Sequence, residues 1–176
     1  MIVRGSVLAI DRPNIDTDQI IPARFLTGID ESGLGAQCMS GMPDGPAQLA
    51  RVPDATILVV GQNFGCGSSR EHAAWALRDR GFRAVIAPSF ARIFLENAYN
   101  NALVPVTIDA ALLPQFVAAT NATIDVENET VSIDGGAPIA FALDPLRKAF
   151  ITGGGFLPYL ASKIPVVRAW DIAWHK

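Results

Sequence analysis

The residues best suited to chemistry lie in one glycine-rich segment, GQNFGCGSSREH, which runs from Gly61 to His72. It follows the apolar run Ile57–Val60, which is typical of a buried strand, and it precedes a helical pattern. Backbone N–H groups at the start of a helix lack partners within the helix and favour anions. Gly65 and Gly67 permit close backbone approach, and Arg70 offers a planar fork that matches a carboxylate. The segment therefore predicts an anion site suited to a dicarboxylate or a phosphate.

Three familiar glycine motifs do not match this segment. A P-loop requires a lysine followed by Ser or Thr, and a dinucleotide loop requires a third glycine where Arg70 stands. A nucleophile elbow requires a serine placed centrally between glycines, and none is found here. Ser68 and His72 are four residues apart, but the turn and the arginine between them argue against a simple hydrolase pair. On the residues alone, a capped strand-to-helix turn without function remains an equally good interpretation.

The elements that must position this segment alternate between strand and helix. The patterns predict strands at Ile57–Val60, Ala84–Ala87 and Leu103–Val106, with helices at Glu71–Arg80 and Ser89–Asn100 between them. Gly81 is placed to stop the first helix, and Ser89 is placed to cap the second. This order is typical of an α/β domain.

The flanking regions have a different character. They predict a helix at Ala110–Ala119, an antiparallel pair at Ala122–Val126 and Thr130–Ile133, and short helices at Asp144–Phe150 and Phe156–Ser162. The stretch 27–53 is rich in Gly, Ser, Asp and Pro, so we expect a mobile excursion with only a brief helix near Leu34–Met39. Long loops in compact domains often serve a site.

Composition narrows the class of protein. A chain of 176 residues fits one domain, and a net charge of -3 gives no basic footprint for nucleic acid or for an anionic membrane. Only two cysteines occur, Cys38 and Cys66, so we expect no metal site in the chain and a reducing, cytoplasmic location. No secretory signal or long apolar run is evident. A mean hydropathy of +0.29 indicates either a generous core or an apolar face that another chain covers.

Three segments in order carry a resemblance to a known family. They read DRPNIDTDQIIPARFL, GQNFGCGSSREHAAWAL and SFARIFLENAYNNALVPV, they lie between Asp11 and Val106, and a looser likeness continues over 144–163. They resemble the swivelling domain of the aconitase superfamily, and a separate chain of this length resembles the small subunits of 3-isopropylmalate dehydratases. The resemblance implies an α/β fold over residues 1–176, a three-layer β/β/α swivelling domain of the aconitase C-terminal type, with a mobile substrate-recognition loop at about 27–53.

The resemblance also implies an activity and separate roles for two subunits. The enzyme would be a hydro-lyase of leucine biosynthesis that isomerises 2-isopropylmalate and 3-isopropylmalate through dehydration and rehydration. A large subunit would carry the 4Fe-4S cluster, and this chain would bind no cofactor and be inactive alone. The implied site residues are Ser68 as the base, Asp18 as an orienting aspartate, and Ser69, Arg70, Gly65 and Gly67 for the substrate carboxylate. Without the resemblance, Asp16 and Asp18 would be assigned to an Asx turn ahead of Ile20.

The segment after IIPAR distinguishes the variable arm of the substrate in related enzymes, and here it reads Phe25, Leu26, Thr27. No arginine follows Leu26, so an isopropyl arm fits better than a carboxylate arm, which would be left unpaired. Two methyl groups in an apolar pocket discriminate only modestly between one alkyl malate and another. A citraconate, dimethylmaleate or homoaconitate hydratase small subunit, or a non-catalytic anion-binding module, therefore remain as alternatives.

Overall fold

Strand β1 (Ile2–Ile10) lies between two differently built halves of one mixed sheet. Its carboxyl-terminal part pairs in parallel with the second strand, from Val7 opposite Ile57 to Ile10 opposite Val60. Its amino-terminal part pairs antiparallel with the fifth strand, from Ile2 opposite Asp125 to Ser6 opposite Asn121. One nine-residue strand thus joins a parallel half to an antiparallel half.

The computed structural model describes residues 1–26 and 32–174. The other strands are β2 (Ile57–Val60), β3 (Ala84–Ala87), β4 (Val104–Thr107), β5 (Asn121–Asp125), β6 (Thr130–Ile133) and β7 (Ile139–Ala140), and the sheet order is β4-β3-β2-β1-β5-β6-β7. The helices are α1 (Thr17–Ile20), α2 (Gly45–Ala50), α3 (His72–Arg80), α4 (Arg92–Asn100), α5 (Leu113–Ala118), α6 (Pro145–Thr152) and α7 (Phe156–Trp174).

The two faces of the parallel half pack against different parts of the chain. Alternate residues of β2 point to opposite faces, and all four are buried because both faces are covered. One cluster unites this half with the helices: Leu58, Val60, Val85, Ala73, Leu77, Phe94. The other cluster unites it with the antiparallel half: Ile57, Val59, Ile86, Ala122, Ile124, Val131. The curled sheet therefore covers itself on one side and α3 and α4 cover the other, which confirms the predicted β/β/α arrangement.

The predicted strands and most helices are confirmed, with differences at element ends. Helix α4 begins at Arg92 rather than at Ser89, because the Ser89 hydroxyl accepts the N–H of Asn63 at 2.8 Å instead of capping the helix. The predicted helix Phe156–Ser162 was too short: α7 continues through Pro165 to Trp174. A proline removes one backbone donor, and helical residues on both sides maintain the helix around it.

The described part of the stretch 27–53 packs onto the domain. It contains a 3-10 turn at Gly35–Gln37, where a brief helix was predicted near Leu34–Met39. It also contains helix α2, which was not predicted. Five of its apolar side chains are buried: Leu34, Cys38, Met39, Met42, Leu49. Arg12 also donates two hydrogen bonds to the Asp44 carboxylate, at 2.7 and 2.5 Å. This part contributes to the core, while the mobility of the whole stretch stays a prediction.

Candidate active site

Two loops lie side by side where β1 and β2 end. Because these strands are parallel neighbours, the segments that leave their carboxyl ends emerge at the same edge of the sheet. We call residues 61–71 the glycine loop and residues 11–21 the aspartate segment. Three backbone hydrogen bonds join them: Asn14 N–H to Gln62 O at 2.8 Å, Gly65 N–H to Ile15 O at 2.8 Å, and Thr17 N–H to Cys66 O at 2.9 Å. The distant sequence motifs thus form one site.

Packing under the glycine loop explains why it needs glycine. Gly65 has φ +76°, and a Cβ atom built there would lie 2.2 Å from the ring of Phe94. Gly67 has φ +89°, which side chains rarely adopt. Phe64 anchors the loop from below, with its ring edge-on to Phe94 at 5.0 Å between centroids and to Phe90 at 6.4 Å. The loop path is therefore fixed by the core rather than by the loop alone.

Thr17 connects the aspartate segment to Ser68. Its hydroxyl donates to the Ser68 carbonyl at 3.1 Å, and the threonine is almost fully buried. Helix α1, on which Thr17 stands, is held by a capping box: Asp16 accepts the N–H of Gln19 at 2.7 Å, and the Gln19 side chain accepts the N–H of Asp16 at 3.0 Å. Asp16 therefore shapes α1, and sequence reasoning missed Thr17 because its partner is 51 residues away.

Arg70 and Asp18 form the charged centre of the site. The Arg70 guanidinium donates through Nη1 to Asp18 Oδ1 and to the carbonyl of Ile21 at 3.5 Å. The arginine side chain is 17% exposed and that of Asp18 is 54% exposed. The hydrogen bond from Arg70 is the main reason that the pKa of Asp18 is lowered, with an added contribution from the N–H of Ala23. Asp18 is thus a carboxylate at neutral pH that orients Arg70.

The two serines stand at the open edge of this centre. Ser68 and Ser69 are both exposed and lie between Gly67 and Arg70 on the glycine loop. The N–H of Gly65 is engaged by Ile15, so within the described residues this glycine acts on the loop through its conformation. The predicted residues Ser68, Asp18, Arg70 and both glycines therefore share one small region.

Phe25 and Leu26 follow the aspartate segment. Both are half-buried against the helix-side core, and Phe25 ends a 3-10 turn that starts at Ala23. The Arg24 guanidinium lies 4.6 Å from the centroid of the Phe25 ring. Thr27, the third residue predicted to contact the substrate arm, lies outside the described residues. The adjacent Phe25 and Leu26 offer apolar surface next to the turn that contacts Asp18.

Glu71 has a partner away from the charged centre. It accepts a hydrogen bond at 2.8 Å from the Asn101 amide, whose oxygen accepts the indole N–H of Trp75 at 2.9 Å. Asn101 is one of the few buried polar residues and lies at the end of α4. This network ties the start of α3 to α4, so Glu71 supports the glycine loop from behind. No pattern in the sequence singled out Asn101, which follows an ordinary helical pattern.

In the described residues, the side chains that could ligate a metal ion are not grouped into a metal site. No group of three or more His, Cys, Asp or Glu side chains is placed there to hold an ion. Cys38 is buried, which raises the pKa of its thiol to about 12, whereas Cys66 lies half-buried in the glycine loop. In the same ranges, no helix has both the length and the apolar character needed to cross a bilayer.

Comparison with known proteins agrees with this geometry. The sequence model of the aconitase C-terminal domain family matches residues 1–111. A protein named 3-isopropylmalate dehydratase small subunit from Chloroflexus aurantiacus is 44% identical over 174 residues, covering 88% of this chain and 87% of the relative. One of the same name from Anoxybacillus flavithermus is 46% identical over 165 residues, covering 86% and 85%. The chain belongs to the aconitase C-terminal domain family and, within it, to the 3-isopropylmalate dehydratase small subunits.

A solved structure that is named a 3-isopropylmalate dehydratase has the same fold. The crystal structure of a 3-isopropylmalate dehydratase from Methanocaldococcus jannaschii superposes with a TM-score of 0.79 at 32% identity. The match covers 97% of this chain and 99% of that one. The predicted family and fold are thereby confirmed, and the small-subunit name of the relatives implies a larger partner subunit.

Proposed function

We propose that this chain is the small subunit of a cytoplasmic 3-isopropylmalate dehydratase, which interconverts 2-isopropylmalate and 3-isopropylmalate in leucine biosynthesis. The observation that carries the proposal is the contact of Arg70 with Asp18 beside Ser68 on the glycine loop. An arginine held by a carboxylate, next to exposed hydroxyls, suits a substrate that carries carboxylates and a removable proton. The two free cysteines fit a reducing compartment.

Ser68 is the base in this proposal. Its Oγ takes a proton from a substrate carbon, a hydroxyl leaves the neighbouring carbon, and a carbon–carbon double bond forms between them. Hydroxide then bonds to the carbon that lost the proton, and Ser68 delivers its proton to the carbon that lost the hydroxyl. A serine hydroxyl is too weakly acidic to be an alkoxide in water, so the site must stabilise the negative oxygen. One preorganised donor of this kind typically contributes about 3 kcal/mol, and the glycine loop and Arg70 offer several.

Ser69 and Arg70 bind a substrate carboxylate. Asp18 engages Nη1 of a guanidinium that carries five N–H donors in total, so Arg70 can bind a second carboxylate while Asp18 holds it. Gly67 and Gly65 keep the loop close to the bound group. Asp18 thus acts through Arg70.

The large subunit completes the site. The chain has only two cysteines, and one of them is buried, so the ligands of a 4Fe-4S cluster would come from the partner. Such a cluster would supply a Lewis acid for the departing hydroxyl. Closure of the partner over Ser68 would exclude water and strengthen the interactions made by Arg70.

The apolar surface of Phe25 and Leu26 accommodates the isopropyl arm. Two methyl groups give only about 1 to 3 kcal/mol of discrimination, so related alkyl malates are weaker substrates rather than excluded ones. Homocitrate would place a carboxylate on this apolar surface and would react poorly. Assays of the reconstituted enzyme against alkyl malates and homocitrate test this order, and a preference for homocitrate would contradict it.

The decisive variant is Ser68→Ala in the reconstituted two-subunit enzyme. Loss of a general base typically costs between about 10²- and 10⁴-fold in rate, so we expect turnover to fall by about 10³-fold. Assembly with the large subunit should be unchanged, because the Thr17 hydrogen bond reaches the backbone of Ser68 and not its side chain. The measurement is chromatographic conversion of one isomer to the other.

Ser132→Ala is the matched control. Ser132 lies on β6, in the antiparallel half of the sheet and away from the glycine loop. The Ser132→Ala enzyme should retain full turnover. Normal activity of Ser68→Ala would contradict catalysis by Ser68 and favour a module that binds anions without chemistry.

A further inference from the structure

The aspartate segment has a second neighbour besides the glycine loop. Residues 39–44, which come from the stretch 27–53, lie against it, and we call them the support segment. The N–H of Met39 donates to the carbonyl of Ile20, the last residue of α1, at 2.7 Å. Met39 is fully buried and has φ +58°, a conformation that residues other than glycine rarely adopt. Such a conformation persists only where tertiary contacts enforce it, so the contact with α1 is a fixed part of the fold.

Gly41 brings the support segment into direct contact with Asp18. A Cβ atom built at Gly41 would lie 2.0 Å from the carbonyl oxygen of Asp18 and 2.7 Å from the Cα of Gln19. Both are backbone atoms of α1, so they cannot rotate away as the end of a side chain could. Gly41 does not have a left-handed φ. Glycine is therefore required at this position by the closeness of α1 and not by the conformation of its own backbone.

The support segment also holds the start of the aspartate segment. Arg12 donates to both oxygens of the Asp44 carboxylate, and the amide of Gln48 donates to Asp44 Oδ2 at 2.9 Å. The bond from Arg12, followed by the bond from Gln48, lowers the pKa of Asp44 to about 2. Asp44 is thus a carboxylate at neutral pH. One short stretch of chain therefore holds the aspartate segment at residue 12 and again at residues 18–20.

The position of α1 determines where the Arg70 guanidinium lies. Arg70 donates to the side chain of Asp18 and to the carbonyl of Ile21, so both of these acceptors belong to the aspartate segment. A guanidinium binds a carboxylate best through two parallel hydrogen bonds, and this arrangement depends on its direction. A displacement of the Asp18 backbone would therefore turn Arg70 away from a bound carboxylate.

We propose that the support segment is a positioning element for the contact between Asp18 and Arg70, so that part of the stretch 27–53 serves the site by packing on α1. The inference rests on the proposed function, in which Arg70 binds a substrate carboxylate. Gly41 is the residue on which it depends most, because any side chain there must displace the backbone of Asp18. The support segment acts through Asp18 and Arg70 rather than on the substrate.

The first test is a titration of the Asp18 carboxyl in the full-length chain, followed by NMR of the carboxyl carbon. Asp18→Asn identifies the signal. In the wild-type chain the hydrogen bond from Arg70 lowers the pKa of Asp18. Gly41→Ala should weaken this bond, so the pKa of Asp18 should rise toward the ordinary value of an aspartate. A folded Gly41→Ala chain in which Asp18 titrates as in the wild type would overturn the proposal.

Gly5→Ala is the matched control. A Cβ atom at Gly5 would lie 2.0 Å from Thr56 Oγ1, and Gly5 has no left-handed φ either. Gly5 pairs with Ala122 in the amino-terminal part of β1, whereas the site lies beyond the carboxyl end of this strand. The Gly5→Ala chain should therefore keep the low pKa of Asp18. An equal rise in both variants would indicate a general effect of lower stability and would contradict a specific role for Gly41.

The second test is activity of the reconstituted two-subunit enzyme, expressed per folded small subunit. Gly41→Ala should lower kcat/KM for 3-isopropylmalate at least about 10-fold, and Gly5→Ala should leave it unchanged. A raised pKa of Asp18 with wild-type kcat/KM would overturn the step from Asp18 to the substrate. The titration needs neither substrate nor large subunit, so it tests the contact with Asp18 independently. Failure of the proposed function would be seen separately, as normal turnover by Ser68→Ala.

Hydrogen exchange of the wild-type chain tests the support segment without any substitution. The Met39 amide should exchange as slowly as the Gly65 amide, which donates to Ile15 from the glycine loop. Both hydrogen bonds hold the same aspartate segment, so they should open in the same local unfolding event. Exchange of the Met39 amide as fast as that of an exposed amide would show that the support segment is not fixed on α1. That result would overturn the proposal even if Gly41→Ala did not fold.

Discussion

At the scale of single residues, the base proposed for this site is positioned by a side chain that carries no charge. The Thr17 hydroxyl donates to the carbonyl of Ser68, while the backbone N–H of Thr17 donates to the carbonyl of Cys66. Its methyl group is buried, so the side chain is fixed on both sides. Small displacements of a reacting group are costly: a shift of about 1 Å can lower a rate by about 100-fold. Thr17 is therefore a positioning residue for Ser68.

Thr17→Val replaces this hydroxyl by a methyl group of the same shape. We expect kcat of the reconstituted enzyme to fall between about 10- and 100-fold, with KM nearly unchanged, because Arg70 still binds the carboxylate. The free energy of unfolding should fall by about 1 kcal/mol for the lost hydrogen bond. Thr17→Ser keeps the hydroxyl and should restore kcat. A valine variant that melts earlier but keeps the wild-type kcat would show that Thr17 serves stability alone.

At the scale of elements, the glycine loop and α4 determine each other's position. Gly65 combines a positive φ with a ring 2.2 Å from where a Cβ would be. Gly135 has nearly the same φ, +75°, but nothing lies within 4 Å of its Cβ position. Substitutions at the two glycines therefore separate two contributions to the free energy of unfolding: the strain of the backbone conformation and the steric clash.

Gly135→Ala should lower the free energy of unfolding by about 1 kcal/mol, the strain of a left-handed alanine. Gly65→Ala adds the clash with Phe94 and should cost at least about 3 kcal/mol. It should also abolish turnover in any folded enzyme, because the loop that carries Ser68 must move. Chemical denaturation and activity per folded chain are the measurements. Equal destabilisation by the two substitutions would contradict the tight packing of the glycine loop on α4.

At the scale of the whole molecule, the candidate site is an open edge rather than a closed pocket. Ser68 and Ser69 are exposed, and Asp18 is more than half exposed. Water therefore competes for every donor that would stabilise a negative serine oxygen. The partner surface is needed for the electrostatics of the site as well as for the Lewis acid.

The purified chain alone should not interconvert the isopropylmalate isomers. Activity should appear only when the large subunit is added. It should rise with the amount of large subunit until all of the small subunit is bound. Chromatographic assay of the isolated chain, the isolated large subunit and their mixture measures this. Turnover by the isolated chain at a rate comparable to that of the mixture would contradict the proposal that this chain needs the large subunit for activity.

The sequence by itself determined the local features of this protein. The apolar run Ile57–Val60 predicted a buried strand, because all four of its residues are apolar, and all four are buried in the structure. Gly81 predicted the end of α3 and is found there with φ +114°. The glycine loop and the aspartate segment were likewise predicted as parts of one site, through resemblance rather than through physics.

Only the tertiary structure decided the features that join distant residues. Ser89 bonds Asn63 rather than starting α4, and Thr17 bonds Ser68, because the parallel strands bring their ends together. The exposure of α7 was equally hidden: Leu160 and Val167 would suit a core helix as well as an interface. Local patterns specify which residues prefer to be buried or bonded, but the partner that meets this preference depends on the arrangement of the whole chain.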